Sequence, residues 1–287
     1  MIFNRKTGEL TEEKLYKERV MRFFYNTVPG GLLVFLLRLS FISKLYGVTQ
    51  RGKRSKAKAE AFIKEHEIDM SNYDPHYTCF NEFFIRRRLN IELDPDPHHL
   101  IAPADSVLLA YTVTNGTLFT VKNKAYTLQQ FLKDEKQAAD YEGGSFLIFR
   151  LRVYDYHRFS FIDDGEVLSR KRIRGWLDTV NQNASGKFTL SSNVRDVTLL
   201  RTQNFGGVLM AEIGAMLVGK IVQTYAEPSF SRGDEKGYFE FGGSTVVLIF
   251  KKNMIQLDND ILRHSAEGIE TKVTLGEKIG VKVCGDS

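Results

Sequence analysis

The chain has 287 residues, 43% of them apolar and 26% charged, with two cysteines and a formal net charge of +5. Such a length and apolar content fill one large domain or two small ones and exclude a disordered chain; two cysteines exclude a disulfide scaffold and fit a reducing compartment. The positive balance points to an anionic partner, lipid or nucleic acid, unless the cations form a solvated face.

Glu and Lys crowd the first 19 residues, which argues against a cleaved secretory signal. Thr11-Glu12-Glu13 reads as a cap and first turn, and residues 11–70 read as helical. From Val28 to Leu37 the chain is almost wholly apolar, then Arg38 interrupts before Leu39 to Tyr46. A span of about 20 uninterrupted apolar residues is missing, which disfavours a transmembrane helix. A helix lying in the interface, with Arg38 and Lys44 reaching headgroups, fits better; an ordinary core helix is the alternative.

Arg51, Lys53, Arg54, Lys56 and Lys58 then follow in one stretch without an acid, and Ser55 to Glu67 and Phe80 to Arg88 read as helices. Asp94-Pro95-Asp96-Pro97 marks a turn or boundary, after which strand-like runs dominate: Val107 to Val113, Phe146 to Val153, Gly207 to Met210, Leu217 to Tyr225 and Thr245 to Phe250. Leu128 to Tyr141 reads as a helical insertion. The expected class is therefore α+β, with N-terminal membrane-associated helices over 1–90 and a β-rich sandwich or barrel catalytic domain over 91–287.

Several chemistries find no support. Cys79 and Cys284 are far apart, and His98-His99 lacks the spacing of a zinc site, so no metal is expected. Gly206-Gly207 is not followed by the Lys-Ser/Thr of a phosphate loop. No nucleic-acid motif is present, and the aromatics sit within apolar runs, so lipid is preferred over nucleic acid as the anionic partner. A second basic group, Arg150, Arg152, Arg158, Arg170, Lys171, Arg172 and Arg174, flanks His157.

Phe241-Gly242-Gly243-Ser244-Thr245 lies between two apolar runs and suggests self-cleavage. Two glycines let the backbone bend until Ser244 Oγ reaches the Gly243 carbonyl, and the amide becomes an ester. Removing the Cα proton of Ser244 then releases the Gly243 carboxylate and leaves a dehydroalanine that hydrolyses to a pyruvoyl group, an electron sink for decarboxylation. The same residues also fit a bulge or tight turn between strands. Likewise Asp105, after Pro103-Ala104, is either a site residue or the closure of a turn. His157 is either an acid–base group, with an ordinary pKa near 6.5, or a packed strand histidine.

The run Gly233 to Val247 resembles the processing segment of the phosphatidylserine decarboxylases. Phe80-Asn81-Glu82-Phe83-Phe84-Ile85-Arg86-Arg87 is similar to that family's opening segment, Ala102-Pro103-Ala104-Asp105-Ser106 to its aspartate motif and Tyr154-Asp155-Tyr156-His157-Arg158-Phe159 to its histidine motif. Gly268 to Val273 with Gly276 and Ile279-Gly280 is similar to its tail, so the resemblance runs over about residues 45–283. It implies cleavage at Gly243-Ser244, a covalent pyruvoyl derived from Ser244, and catalytic roles for Ser244, His157 and Asp105. It further implies decarboxylation of phosphatidylserine to phosphatidylethanolamine through a Schiff base. Gly206, Gly207 and Gly214 fall in a segment similar to one that lines the family's pocket. Where many relatives carry a second histidine in the self-cleavage set, this chain has Ser160, which leaves His157, Asp105 or a water as the base.

A peripheral position on the cytoplasmic side of the cell membrane follows from the same resemblance, with the two processed chains staying together and a homodimer left open. Two other readings remain: a pyruvoyl decarboxylase of a soluble amino acid, and an uncleaved, non-enzymatic membrane-bound relative, which Ser160 alone supports.

Overall fold

The computed structural model describes residues 1–13, 49–114, 116–121, 124–176, 190–215, 220–240 and 244–283. In chain order these form β1 (Ile2–Asn4), β2 (Glu9–Thr11), a 3-10 turn (Lys53–Ser55), α1 (Lys56–Glu65), α2 (Phe80–Phe84), β3 (His99–Ile101), β4 (Ser106–Thr112), β5 (Thr117–Val121) and β6 (Lys124–Thr127). There follow α3 (Leu128–Leu132), α4 (Glu135–Ala139), β7 (Ser145–Leu151), β8 (Arg158–Ser160), β9 (Gly165–Ile173), β10 (Arg195–Thr202), β11 (Gly206–Gly214), β12 (Ile221–Gln223) and β13 (Ser229–Phe230). The chain closes with β14 (Glu235–Phe239), β15 (Ser244–Phe250), β16 (Ile255–Leu257), α5 (Asn259–Ala266), β17 (Glu270–Val273) and β18 (Lys278–Lys282).

Ten strands make one sheet in the order β13-β9-β10-β11-β15-β7-β4-β17-β1-β2, antiparallel except for the β1–β17 pair. One face is covered by two three-stranded sheets, β12-β14-β8 and β16-β18-β3, together with α5. Against the other lie α3, α4 and β6. The α+β expectation holds. Among the described residues the large sheet is open, with β13 and β2 at its edges, so its layers match the sandwich alternative and not the barrel.

β15 shows why its sequence is apolar without alternation: all seven residues are buried because both faces are covered. Val246, Leu248 and Phe250 pack with Leu147, Phe149 and Leu151 of β7 and with Phe159 and Phe239. Val247 and Ile249 face Leu128, Phe131 and Leu132 of α3. Each such side chain contributes about 1.5–3 kcal/mol of gross burial energy. Since β11 and β7 also hydrogen-bond its two edges, β15 is an interior strand in every direction.

Three expectations need correction. Residues 2–4 and 9–11 join the sheet as β1 and β2, so the region expected to be helical over 1–90 opens with strands, and Thr11 ends β2 where a helix cap was expected. Their pairing partner, β17, lies near the other end of the chain, and Arg5 is held by Asp258, Asp260 and Glu277 at 2.7–2.9 Å, contacts that local propensity cannot reveal. The helix expected over Phe80 to Arg88 stops at Phe84, because Arg158 Nε takes the carbonyls of Ile85 and Arg86 and Arg88 bridges to Tyr73. The insertion at Leu128 to Tyr141 is two short helices, capped by Thr127 and Asp134 and broken at Lys133, whose φ is 50°. The apolar segment Val28 to Tyr46 and residues 217–219 of the expected Leu217 to Tyr225 strand lie outside the described residues. Among the described residues no helix is long and apolar enough to cross a membrane.

Candidate active site

Ser244 is the first residue of β15, and its register fixes its surroundings. It pairs with Leu151 of β7 on one side and Gly214 of β11 on the other. Its hydroxyl is fully buried and has no hydrogen-bond partner among the described residues, and the same is true of Thr245 Oγ1. Most buried hydroxyls are satisfied, and leaving one unmade costs about 1–3 kcal/mol. Gly214 adds no side chain to the face that Ser244 uses. Residues 241–243, including Gly243 of the expected cleavage site and the Gly242 before it, lie outside the described residues.

Asp105 immediately precedes β4, which flanks β7 opposite β15. Val107 and Thr245 both face Arg150, so two strand spacings, about 10 Å, separate the heads of β4 and β15. Asp105 accepts from Arg88 Nη2 through Oδ2 and from the Leu275 N–H at 2.9 Å through Oδ1. Burial pushes its carboxyl above the ordinary range, with the charge of Asp155 adding to the effect and Arg88 and the Leu275 N–H opposing it. Arg88 also lies over the Tyr156 ring at 4.7 Å and bonds Tyr73 Oη at 3.3 Å. Arg88, Tyr73, Asn90, Thr274 and Leu275 line a cavity of about 1030 Å³, so the Asp105 pair sits at the wall of an open space.

His157 is wholly buried between β7 and β8. Its Nδ1 is 2.8 Å from the Asp155 carbonyl, its ring centroid is 3.8 Å from that of Phe84, and its own carbonyl accepts the Phe239 N–H at 3.0 Å. Phe239 is five residues before Ser244, a reach of at most about 17 Å for extended chain. The segments that carry Ser244, Asp105 and His157 therefore lie at one end of the sheet: Ser244 pairs with the last residue of β7, His157 is in the turn that follows β7, and Asp105 immediately precedes β4.

Of the three candidate pocket glycines, only Gly214 is there. Gly206 and Gly207 open the far end of β11, eight and seven residues away along the strand, and Tyr141 Oη bonds the Gly207 carbonyl. The basic group around His157 also divides. Arg150 pairs with Glu13 and Glu270, Arg152 with Asp155 and Arg158 with Glu235, each with a side chain 10% exposed or less. These three are internal struts, not a lipid-facing patch, whereas Arg170, Lys171, Arg172 and Arg174 are exposed.

The family pattern for phosphatidylserine decarboxylase matches residues 80–281. Phosphatidylserine decarboxylase proenzyme 2 of Clostridium acetobutylicum is 45% identical over 97% of each chain. The phosphatidylserine decarboxylase proenzyme of Fusobacterium nucleatum is 40% identical over 96% of this chain and 95% of its own length, and that of Clostridium tetani 38% over 98% of each. The chain belongs to the phosphatidylserine decarboxylase family.

Within that family the position of Ser160 gains meaning. Its N–H donates to the Pro103 carbonyl at 2.9 Å, so it stands beside the Asp105 segment, with His157 three residues before it. The place of the second histidine is thus at the same end of the sheet, occupied here by a short hydroxyl.

Two features of this decarboxylase-family site were missed in the sequence. Arg88 falls one residue beyond the opening segment Phe80 to Arg87, and its pairing with Asp105 is known only from the fold. The second is a buried cluster two residues along β11 from Gly214. Lys236 Nζ donates to Glu212 at 2.8 Å, Gln223 at 3.0 Å and Thr198 at 3.1 Å, and Gln223 Nε2 donates to Glu212 at 2.6 Å. Lys236 and Glu212 are completely buried; burial lowers the lysine and raises the glutamate, each opposed by the other. The cluster joins β14, which precedes the Gly-Gly-Ser step, to β11, which pairs with the strand after it. A charge inside the apolar run Val208 to Ile213 was the available signal.

Proposed function

We propose that this chain is a phosphatidylserine decarboxylase, made as a single-chain precursor that cuts itself between Gly243 and Ser244 and then converts phosphatidylserine to phosphatidylethanolamine and CO2. The observation that carries this reading is Ser244, a buried hydroxyl with no partner among the described residues, heading an interior strand with Asp105 and His157 at the same end of the sheet.

Ser244 Oγ adds to the Gly243 carbonyl and the amide nitrogen leaves, which gives an ester; loss of the Ser244 Cα proton to a base then breaks it. The residues fit the pyruvoyl group expected from Ser244, since Gly214 leaves its face clear and β11 and β7 hold the strand that carries it. That ketone supplies the electron sink for loss of the substrate carboxylate. The neutral His157 ring, with Nδ1–H directed to the Asp155 carbonyl, keeps its lone pair on Nε2 and serves as the base or, once protonated, as the acid. Asp105, with Arg88, sets the local charge at the wall of the cavity, which gives a headgroup room to approach.

Exposed Lys53, Arg54 and Lys56 support a peripheral position on an anionic, cytoplasmic membrane face. They follow Arg51, which pairs with Glu240 just before the cleavage segment, so the face that would meet headgroups is close to the site.

The test is the intact mass of freshly purified protein beside Ser244→Ala, with release of phosphatidylethanolamine from phosphatidylserine vesicles. Two chains split after Gly243, a blocked small chain, an uncut mutant and product release are expected. A single full-length wild-type chain would remove both the cleavage and the pyruvoyl.

A further inference from the structure

The chain leaves β7 at Leu151 and enters β8 at Arg158, and the residues between them close on themselves. The Asp155 N–H donates to the Arg152 carbonyl at 3.0 Å. In return the Asp155 carboxylate accepts three donors from Arg152: the backbone N–H at 2.8 Å, Nε at 3.0 Å and Nη2 at 2.8 Å. The two side chains are only 10% and 7% exposed, and the guanidinium lies over the Tyr154 ring at 4.7 Å.

A turn of this length needs no buried ion pair. Desolvating two charges costs several kcal/mol per ion, and the return is a defined conformation of the groups that the pair ties down. Here the tied group is the Asp155 peptide plane, whose carbonyl meets His157 Nδ1 at 2.8 Å. A carbonyl oxygen accepts and cannot donate, so Nδ1 carries the proton and the lone pair of the neutral ring is on Nε2. Phe84 against the ring and the Phe239 N–H on the His157 carbonyl fix the same residue from two other elements.

We propose that Arg152 and Asp155 are positioning residues for His157: their closed turn selects the Nδ1–H tautomer and so keeps Nε2 as the atom that takes and returns the proton. The proposal rests on the role given to His157 above. Arg152 and Asp155 act through the imidazole, and each is the ion-pair partner of the other.

The experiment uses full-length protein carrying isotopically labelled histidine, with long-range proton–nitrogen NMR to read the His157 tautomer and His157→Gln to assign it. The variants are Asp155→Ala, Asp155→Asn, Arg152→Gln and Arg152→Lys, each also assayed for kcat and KM per processed chain. Wild type should show the Nδ1–H form. Asp155→Ala and Arg152→Gln should move the ring toward the Nε2–H form and lower kcat about a hundredfold with KM within about twofold. Arg152→Lys, which keeps one charged donor, should recover part of both. If Asp155→Ala does not fold, Asp155→Asn preserves the shape and reads the same two signals. An unchanged tautomer in variants that fold would overturn the proposal. A shifted tautomer with unchanged kcat would uphold the positioning and remove His157 from the reaction, so the two readings fail separately.

Discussion

Gly214 stands opposite Ser244 across the β11–β15 ladder, and paired positions in a sheet share a face. Cross-strand Cβ atoms lie about 4.5–5.5 Å apart, so any side chain at 214 would stand directly against the Ser244 hydroxyl. Gly214→Val should therefore slow self-cleavage about tenfold or more. Gly207→Ala, at the far end of the same strand, meets nothing closer than 3.8 Å and should leave the rate unchanged. Following the full-length band by intact mass after synthesis compares them; equal rates would place the reacting face elsewhere.

The Arg88–Asp105 pair makes a prediction about pH. Asp105 is raised chiefly by burial and opposed by Arg88, so Arg88→Gln removes the opposition and raises the carboxyl further. If the ionised carboxylate is the working form, the acid limb of the self-cleavage rate moves to higher pH, with the plateau kept. A pH–rate series on both proteins measures it, and an acid limb that does not move would take Asp105 out of the ionised set.

The Lys236–Glu212 cluster separates stability from chemistry. Removing one partner leaves the other buried without compensation, so Lys236→Met should cost about 3–5 kcal/mol in denaturant unfolding of the uncut Ser244→Ala protein. Replacing both, Lys236→Met with Glu212→Leu, should recover more than half of that loss. A double variant no better than the single would show that Thr198 and Gln223 are the costly orphans.

Acid stability should depend on Asp258. Burial pushes its carboxyl up, but hydrogen bonds from Lys278 and Arg5 outweigh that and hold it below the ordinary range. A carboxyl lowered by folding contributes stability that is present above its unfolded value, about 3.9, and disappears as pH falls through the folded value. Asp258→Asn should cost about 1 kcal/mol or less near neutrality, since the pair is partly exposed, and should flatten the loss of stability below about pH 4. Unfolding curves from pH 7 to pH 2 for both proteins give the comparison.

How far the sequence was legible follows from the range of each contact. β15 was plain because an interior strand needs an unbroken apolar run, and Thr245 to Phe250 supplies one. Ser244, Asp105 and His157 were named because their own neighbours carry the pattern. Arg88 was not, since what makes it matter is the loop at Leu275, which shares its partner Asp105. β1 was hidden for the same reason: three residues have no strand signal until β17 is beside them. Lys236 reads as a solvated charge in Gly233-Asp234-Glu235-Lys236-Gly237, and only packing against β10 and β11 makes it a fully enclosed cation.

On the proposed reading, in which Ser244 becomes the prosthetic group, its interior position has a cost in maintenance. A dissociable coenzyme that is chemically spoiled can be exchanged for a fresh molecule from the surroundings. A group grown from Ser244 at the head of a strand locked between β7 and β11 has no such route, because releasing it would mean dismantling the sheet. Each polypeptide would then have one working lifetime, and lost activity would return only with newly synthesised chains, never with added pyruvate.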